Sequence, residues 1–257
     1  MKTLLPTSLL AAAGFALLLG GCSKADDATP TTPASTTPTA ATPTVGNVYG
    51  VMVSLRMNYA VASPVPLPVP VTVDLESAIA AFYNLNPTSF MDAGAVSVNG
   101  NALDKGSNNA YTKVATPTQT NPSPNLGFDN GSSWSVAGSG ATPAITYNHS
   151  SSMPTYSGTL PTSITKASGL TVALSSVRNA DSVYVLIAAG NQSVLKRAQA
   201  GTSSITFTAN DLRNLPTVTD KSGIVQVLPF RMTRPVISGK TYAFIKEYAA
   251  VGNIDIQ

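Results

Sequence analysis

Two stretches of the chain carry a serine three residues before a lysine, Ser163-Ile164-Thr165-Lys166 and Ser193-Val194-Leu195-Lys196. On a helix that spacing sets an amine beside a hydroxyl and makes a nucleophile, the arrangement of enzymes that acylate a serine. Neither stretch reads as helix, and no Ser-Asp-Asn or Lys-Thr-Gly accompanies them. In a serine-rich chain both are expected to be chance. A serine hydrolase needs a base for the hydroxyl proton, usually His. His149 is the only histidine, in Tyr147-Asn148-His149-Ser150-Ser151-Ser152, and no Gly-x-Ser-x-Gly elbow is present. It reads as a surface-loop residue. Glycan hydrolysis needs two carboxyl groups about 5–10 Å apart. The two glutamates, Glu76 and Glu247, lie in opposite halves of the chain and are expected to face solvent on alternating strands. Asp129-Asn130-Gly131 could offer oxygens to calcium, but no acidic cluster follows and a turn explains it. One Cys and one His leave no zinc ligand set and no disulfide. No catalytic residue, no metal and no cofactor are expected.

Binding is the remaining chemistry. Trp134, Tyr147 and Tyr156 could stack on a sugar ring, and they are the candidate ligand-binding residues. Trp134 shares its strand parity with Val136, while Ser133 and Ser135 take the other face; that parity also suits a core tryptophan. Lys196-Arg197 and Arg231-Met232-Thr233-Arg234 are small basic patches that could touch anionic polysaccharide or lipid headgroups. A formal net charge of +3 is modest, and nucleic acid would call for denser basic clusters with interleaved aromatics. Nucleic-acid binding is not expected. Asp181-Ser182-Val183 resembles the short O-glycosylation site of exported Bacteroidota proteins, but it also marks an ordinary strand start.

These residues must be positioned by a chain of 257 residues, of which 11% are charged and 43% hydrophobic. Soluble domains average about 25% charged residues. A chain this poor in charge and rich in apolar side chains is not a solvated disordered polymer over most of its length. Its first segment is a targeting signal. Met1-Lys2 is followed by an apolar run over residues 4–19, broken by Pro6 and Gly14, and then by Leu19-Gly20-Gly21-Cys22. Sixteen residues are short of the roughly 20 a spanning helix needs, and small residues precede the cut. The stretch resembles a bacterial lipoprotein signal, whose box runs Leu, small residue, Gly or Ala, Cys. That resemblance implies residues 1–21 are a signal peptide and Cys22 the lipidated first residue of the mature chain, so the membrane is a partner through that anchor. Residues 22–45 begin Ser23-Lys24-Ala25-Asp26-Asp27 and continue as Thr, Pro and Ala. With little to bury, this is a disordered, extended linker. Its acidic start resembles the export tails of Bacteroidota surface lipoproteins.

From residue 46 onward the pattern is of strands. Val51, Val53, Leu55 and Met57 alternate; Pro64, Pro66, Pro68 and Pro70 interrupt; Val71, Val73 and Leu75 resume. Residues 76–83 fit strand or helix and read better as strand. Asn99-Gly100, inside Ala95-Val96-Ser97-Val98-Asn99-Gly100-Asn101-Ala102-Leu103, is a tight hairpin signal. Residues 116–133 read as loop, Trp134 and Val136 and residues 144–147 as short strands. Further strands are expected at residues 170–174, 182–188, 193–197, 204–208, 224–230 and 242–248, with one helical turn at 210–215 capped by Thr208 or Asn210. Strands at this spacing indicate an antiparallel sandwich. Residues 46–160 hold three bases and five acids, residues 161–257 ten bases and five acids, and ten of sixteen aromatics lie in the first stretch. A boundary at residues 158–168 gives two domains, 46–160 and 161–257. Ala95-Val96-Ser97-Val98-Asn99-Gly100 and Lys240-Thr241-Tyr242-Ala243-Phe244-Ile245-Lys246 resemble stretches of uncharacterised lipoproteins from Bacteroidota. The resemblance implies an all-β protein of two immunoglobulin-like sandwiches in the outer membrane, at the cell surface or its periplasmic face. The expected function is a non-enzymatic structural or adhesion-like module for an envelope protein or a polysaccharide; the alternative is a glycan-binding accessory protein.

Overall fold

The computed structural model describes residues 47–61, 71–84, 89–115 and 125–257. The signal peptide, Cys22, the linker and the Pro64–Pro70 run lie outside the described residues. β1 (Gly50–Val61) and β2 (Val71–Phe82) make a long antiparallel hairpin. The ambiguous residues 76–82 are strand, continuous with β2. β3 (Val96–Val98), β4 (Asn101–Ala102), β5 (Asp104–Lys105), β6 (Tyr111–Val114), β7 (Ser132–Val136), β8 (Ile145–His149) and β9 (Thr155–Tyr156) follow. Then come β10 (Ser163–Ile164), β11 (Leu170–Ala173), β12 (Val177–Arg178), β13 (Ser182–Ala189), β14 (Gln192–Gln199), β15 (Ser204–Phe207), α1 (Ala209–Leu212), β16 (Val218–Thr233), β17 (Val236–Ile237), β18 (Lys240–Thr241) and β19 (Ala243–Ile256). The protein is all-β, as its strand spacing indicates.

A nine-stranded sheet runs β14-β13-β16-β19-β1-β2-β6-β5, with β10 added beside β19. A four-stranded sheet, β4-β3-β7-β8, and the pairs β11-β15 and β12-β9 pack over it. Side chains alternate between the two faces of a strand, so the long strands feed cores on both faces, β19 all three. On one face Met52, Ala78, Ala80, Phe82, Tyr111 and Phe244 meet Val96, Val98, Trp134, Val136 and Ile145 of the small sheet. Further along that face Val183, Val185, Ile187, Val225, Val227 and Ile254 meet Val172, Ile205, Phe207 and Leu212. The opposite face gathers Val51, Val53, Leu55, Ile79, Leu228, Phe230 and Ile245. Each buried Leu, Ile or Phe contributes about 1.5–3 kcal/mol relative to exposure.

The pairing of β1 with β19 is parallel, from Val51 opposite Ala243 to Tyr59 opposite Val251. It departs from the purely antiparallel sandwiches that the spacing suggested, because a parallel partner need not be a sequence neighbour. The residues 158–168 division separates most of the first core from the second, while the long sheet crosses it. Local signals hold where they are local. Asn99 and Gly100 adopt positive φ angles of 48° and 78° in the β3–β4 turn. Thr208 caps α1, its Oγ1 accepting from the Asp211 N–H at 3.2 Å while Asp211 Oδ2 accepts the Thr208 N–H at 2.6 Å.

Candidate functional site

Between the two cores on the packed face of the long sheet, the side chains change from apolar to charged. Met52 and Phe244 are succeeded, two residues along their strands, by Ser54 and Lys246, and these by Arg56 and Tyr248. Ser54 is the cross-strand partner of Lys246, and Arg56 of both Tyr248 and Glu76. From the small sheet, Ser132 and His149 are partners across β7 and β8. The Ser54 hydroxyl donates to Ser132 Oγ at 2.8 Å, which ties the two layers together. This polar seam is the richest grouping of chemistry-bearing side chains among the described residues.

Arg56 is the seam's clamp. Its Nε and Nη2 donate to Glu76 Oε1 at 3.0 and 2.5 Å, and Nη2 also reaches Asp129 Oδ1 at 2.7 Å. Glu76 Oε2 accepts the Leu126 N–H at 2.5 Å, closing the carboxylate off. Burial works against the Arg56 cation, but its bonds to Glu76 and Asp129 outweigh that and hold its pKa above the ordinary value. Lys246 is wholly buried, its Nζ donating to the Ser151 carbonyl at 2.5 Å. Burial, with Arg231 and Arg56 nearby, pulls its pKa down to about 8. His149 is 3% exposed. Burial first, then the charges of Lys246 and Arg231, take it down to about 4, so its ring is neutral at pH 7. Arg231 is paired with Asp181 at 3.2 Å.

Three expectations from the sequence are corrected here. His149 is not a surface-loop residue; it ends β8, inside the seam. Glu76 and Glu247 do not face solvent, being 2% and 5% exposed. Glu247 lies on the opposite face of the sheet from Glu76, so the two cannot act as a carboxyl pair. No serine is hydrogen-bonded to His149 or Lys246 through its side chain among the described residues, so no nucleophile–base pair is assembled. Nor do three or more His, Cys, Asp or Glu side chains gather there as metal ligands. The Ser-x-x-Lys stretches are not dyads: Lys166 Nζ donates to the Leu215 carbonyl and Lys196 Nζ to Asp211.

The aromatic candidates are dispersed. Trp134 exposes 1% of its surface in the first core, and Tyr156 is buried in the second. Tyr147 stacks on Phe244 with centroids 4.0 Å apart and donates its hydroxyl to Thr233 Oγ1 at 2.9 Å. Trp134 and Tyr147 belong to the first core and Tyr156 to the second, so the three rings form no common surface. Ser182 is likewise buried, its Oγ accepting from Arg197 at 2.9 Å, so the Asp181-Ser182-Val183 hydroxyl is enclosed in the fold. Cys22 lies outside the described residues. Sequence reading missed Ser54, Ser132 and Lys246. The available signal was the adjacent Lys246-Glu247 pair inside an apolar run, since charges there must be buried or at an edge.

Compared with protein-family models, with curated proteins and with solved structures, the chain matches none. Among the described residues no helix is long and apolar enough to cross a membrane.

Proposed function

We propose that this chain is a lipid-anchored protein of the bacterial cell envelope, of the Bacteroidota lipoprotein kind, held at the outer membrane through Cys22 and acting as a structural or adhesion-like interaction module. One observation carries this reading. The single cysteine of the chain stands at Leu19-Gly20-Gly21-Cys22, at the end of the apolar run, and Ser23-Lys24-Ala25-Asp26-Asp27 and a Thr/Pro spacer follow it. An acylated Cys22 supplies attachment, and the spacer sets the folded body off from the bilayer. The character of the seam supports a non-enzymatic role: its carboxylates are committed to arginines, and its hydroxyls lie inside.

The partner is an envelope protein or a polysaccharide. The test of its side of the membrane is protease shaving of intact cells, blotting for residues 46–257. Loss of the signal on whole cells places the module at the surface and fits adhesion. Protection until the outer membrane is broken rules surface adhesion out. A folded body found free in the growth medium in wild-type cells contradicts the anchored reading altogether.

A further inference from the structure

The sequence holds two Asn-Gly pairs, Asn99-Gly100 and Asn130-Gly131. Asparagine before glycine is open to a spontaneous reaction in which the glycine nitrogen attacks the asparagine Cγ and a ring closes. Glycine permits that approach because it has no Cβ. Ring closure needs the side-chain amide to turn onto the following nitrogen, and the fold decides which of the two amides is free to turn.

Asn99 is tied down. Its Nδ2 donates to the carbonyls of Leu126, Gly127 and Gly131 at 3.0, 3.1 and 3.1 Å, and its Oδ1 accepts the Ser133 N–H at 2.8 Å. The side chain thereby pins the chain at residues 126–133 to the β3–β4 turn. Ring closure would expel Nδ2 and with it three of these bonds. Asn130 is the opposite case. It ends a single 3-10 turn, Phe128–Asn130. Its side chain is exposed and has no hydrogen-bond partner among the described residues. The N–H of Gly131 makes one bond, to the Phe128 carbonyl at 3.2 Å, at the long end of the normal range.

We propose that Asn130 is a modification site, deamidating spontaneously in the folded protein, and that Asn99 is protected by its hydrogen bonds. The Gly131 nitrogen gives up its proton and bonds to Asn130 Cγ; the Cγ–Nδ2 bond breaks, and ammonia leaves with a proton. Water then opens the cyclic imide. Attack at Cγ gives aspartate. Attack at the main-chain carbonyl gives isoaspartate, whose backbone runs through the former side chain. Either product sets a new carboxylate next to Asp129, which Arg56 holds at 2.7 Å. Isoaspartate also lengthens the backbone by one atom shortly before Ser132, the residue that bonds Ser54 across the layers. The modification therefore falls at the rim of the polar seam, where the small sheet is tied to the long one.

The experiment incubates the full chain at mildly alkaline pH, folded in buffer and unfolded in urea, and maps its peptides by mass spectrometry. In the folded protein Asn130 should convert and Asn99 should stay intact. Water labelled with heavy oxygen should mark the product, and enzymatic methylation of isoaspartate should confirm the ring-opened form. In urea both asparagines should convert at similar rates, because the following glycine is then all that decides. Asn130→Gln should melt like wild type, its side chain being exposed, and should lose the methylation signal of the folded protein. Asn99 converting as fast as Asn130 in the folded protein would overturn the proposal. So would an Asn130 that survives folded for as long as both asparagines take to convert in urea.

Discussion

Glu247 sits on β19 opposite Leu55 of β1 and Phe230 of β16, in the apolar cluster on the face turned away from the seam. Burial pushes its carboxyl up from the usual 4.5 to about 8. Between those values the folded chain holds a proton that the unfolded chain has released, so stability is lost as pH rises through this window. Glu247→Gln removes the loss. Wild type and variant should melt together near pH 4.5, and the variant should melt higher at pH 9. Parallel pH profiles would show that the carboxyl is solvated. Residues were legible in proportion to how one-sided their strand is. Trp134 follows parity because β7 alternates buried and exposed positions. Glu76 and Glu247 were misread because strands covered on both faces bury both parities, and alternation then ceases to report solvent; His149 keeps the buried parity of Ile145 on the one-sided β8 and was misread because that strand's end reads as loop.

Among the elements, the short ones declared themselves. The Asn99-Gly100 turn and the Thr208 cap are set by residues within four positions of one another, which is why sequence sufficed. The long strands did not: β16 spans Val218–Thr233 and β19 Ala243–Ile256, well beyond the apolar cores at 224–230 and 242–248. The ends of β16 are polar and the end of β19 is broken by Gly252-Asn253 and Asp255, and they are strands because each pairs with the other, from Gly223 opposite Ile254 to Thr233 opposite Phe244. Gly169 shows how tightly the smaller layer is closed. It has φ of +71°, and a Cβ there would lie 2.5 Å from the Phe207 carbonyl oxygen at the end of β15. Gly169→Ala should cost about 1–3 kcal/mol in denaturant unfolding. Gly201→Ala, also at positive φ but with open space around it, should cost less. Equal losses would mean that φ alone matters and that the β11–β15 pair can shift.

For the molecule as a whole, the seam joins two regions that charge distribution had separated in sequence. The imbalance between residues 46–160 and 161–257 is real, but β1 has β19 as its parallel neighbour, and Tyr242 and Phe244 help fill the first core. Long-range pairing of this kind leaves no local mark, so it could not be read from periodicity. Residues 46–160 expressed alone should therefore lack a cooperative thermal transition. A sharp melt of that fragment would show that its core closes without β19. The anchor belongs to this scale too, because it decides where the whole body works. Metabolic labelling of cells with radiolabelled palmitate, followed by isolation of the protein, tests it most directly. Label in wild type and in membrane fractions, absent in Cys22→Ala with the protein then soluble, is the expected result. An unlabelled wild type, or a Cys22→Ala variant that stays membrane-bound, would contradict the account.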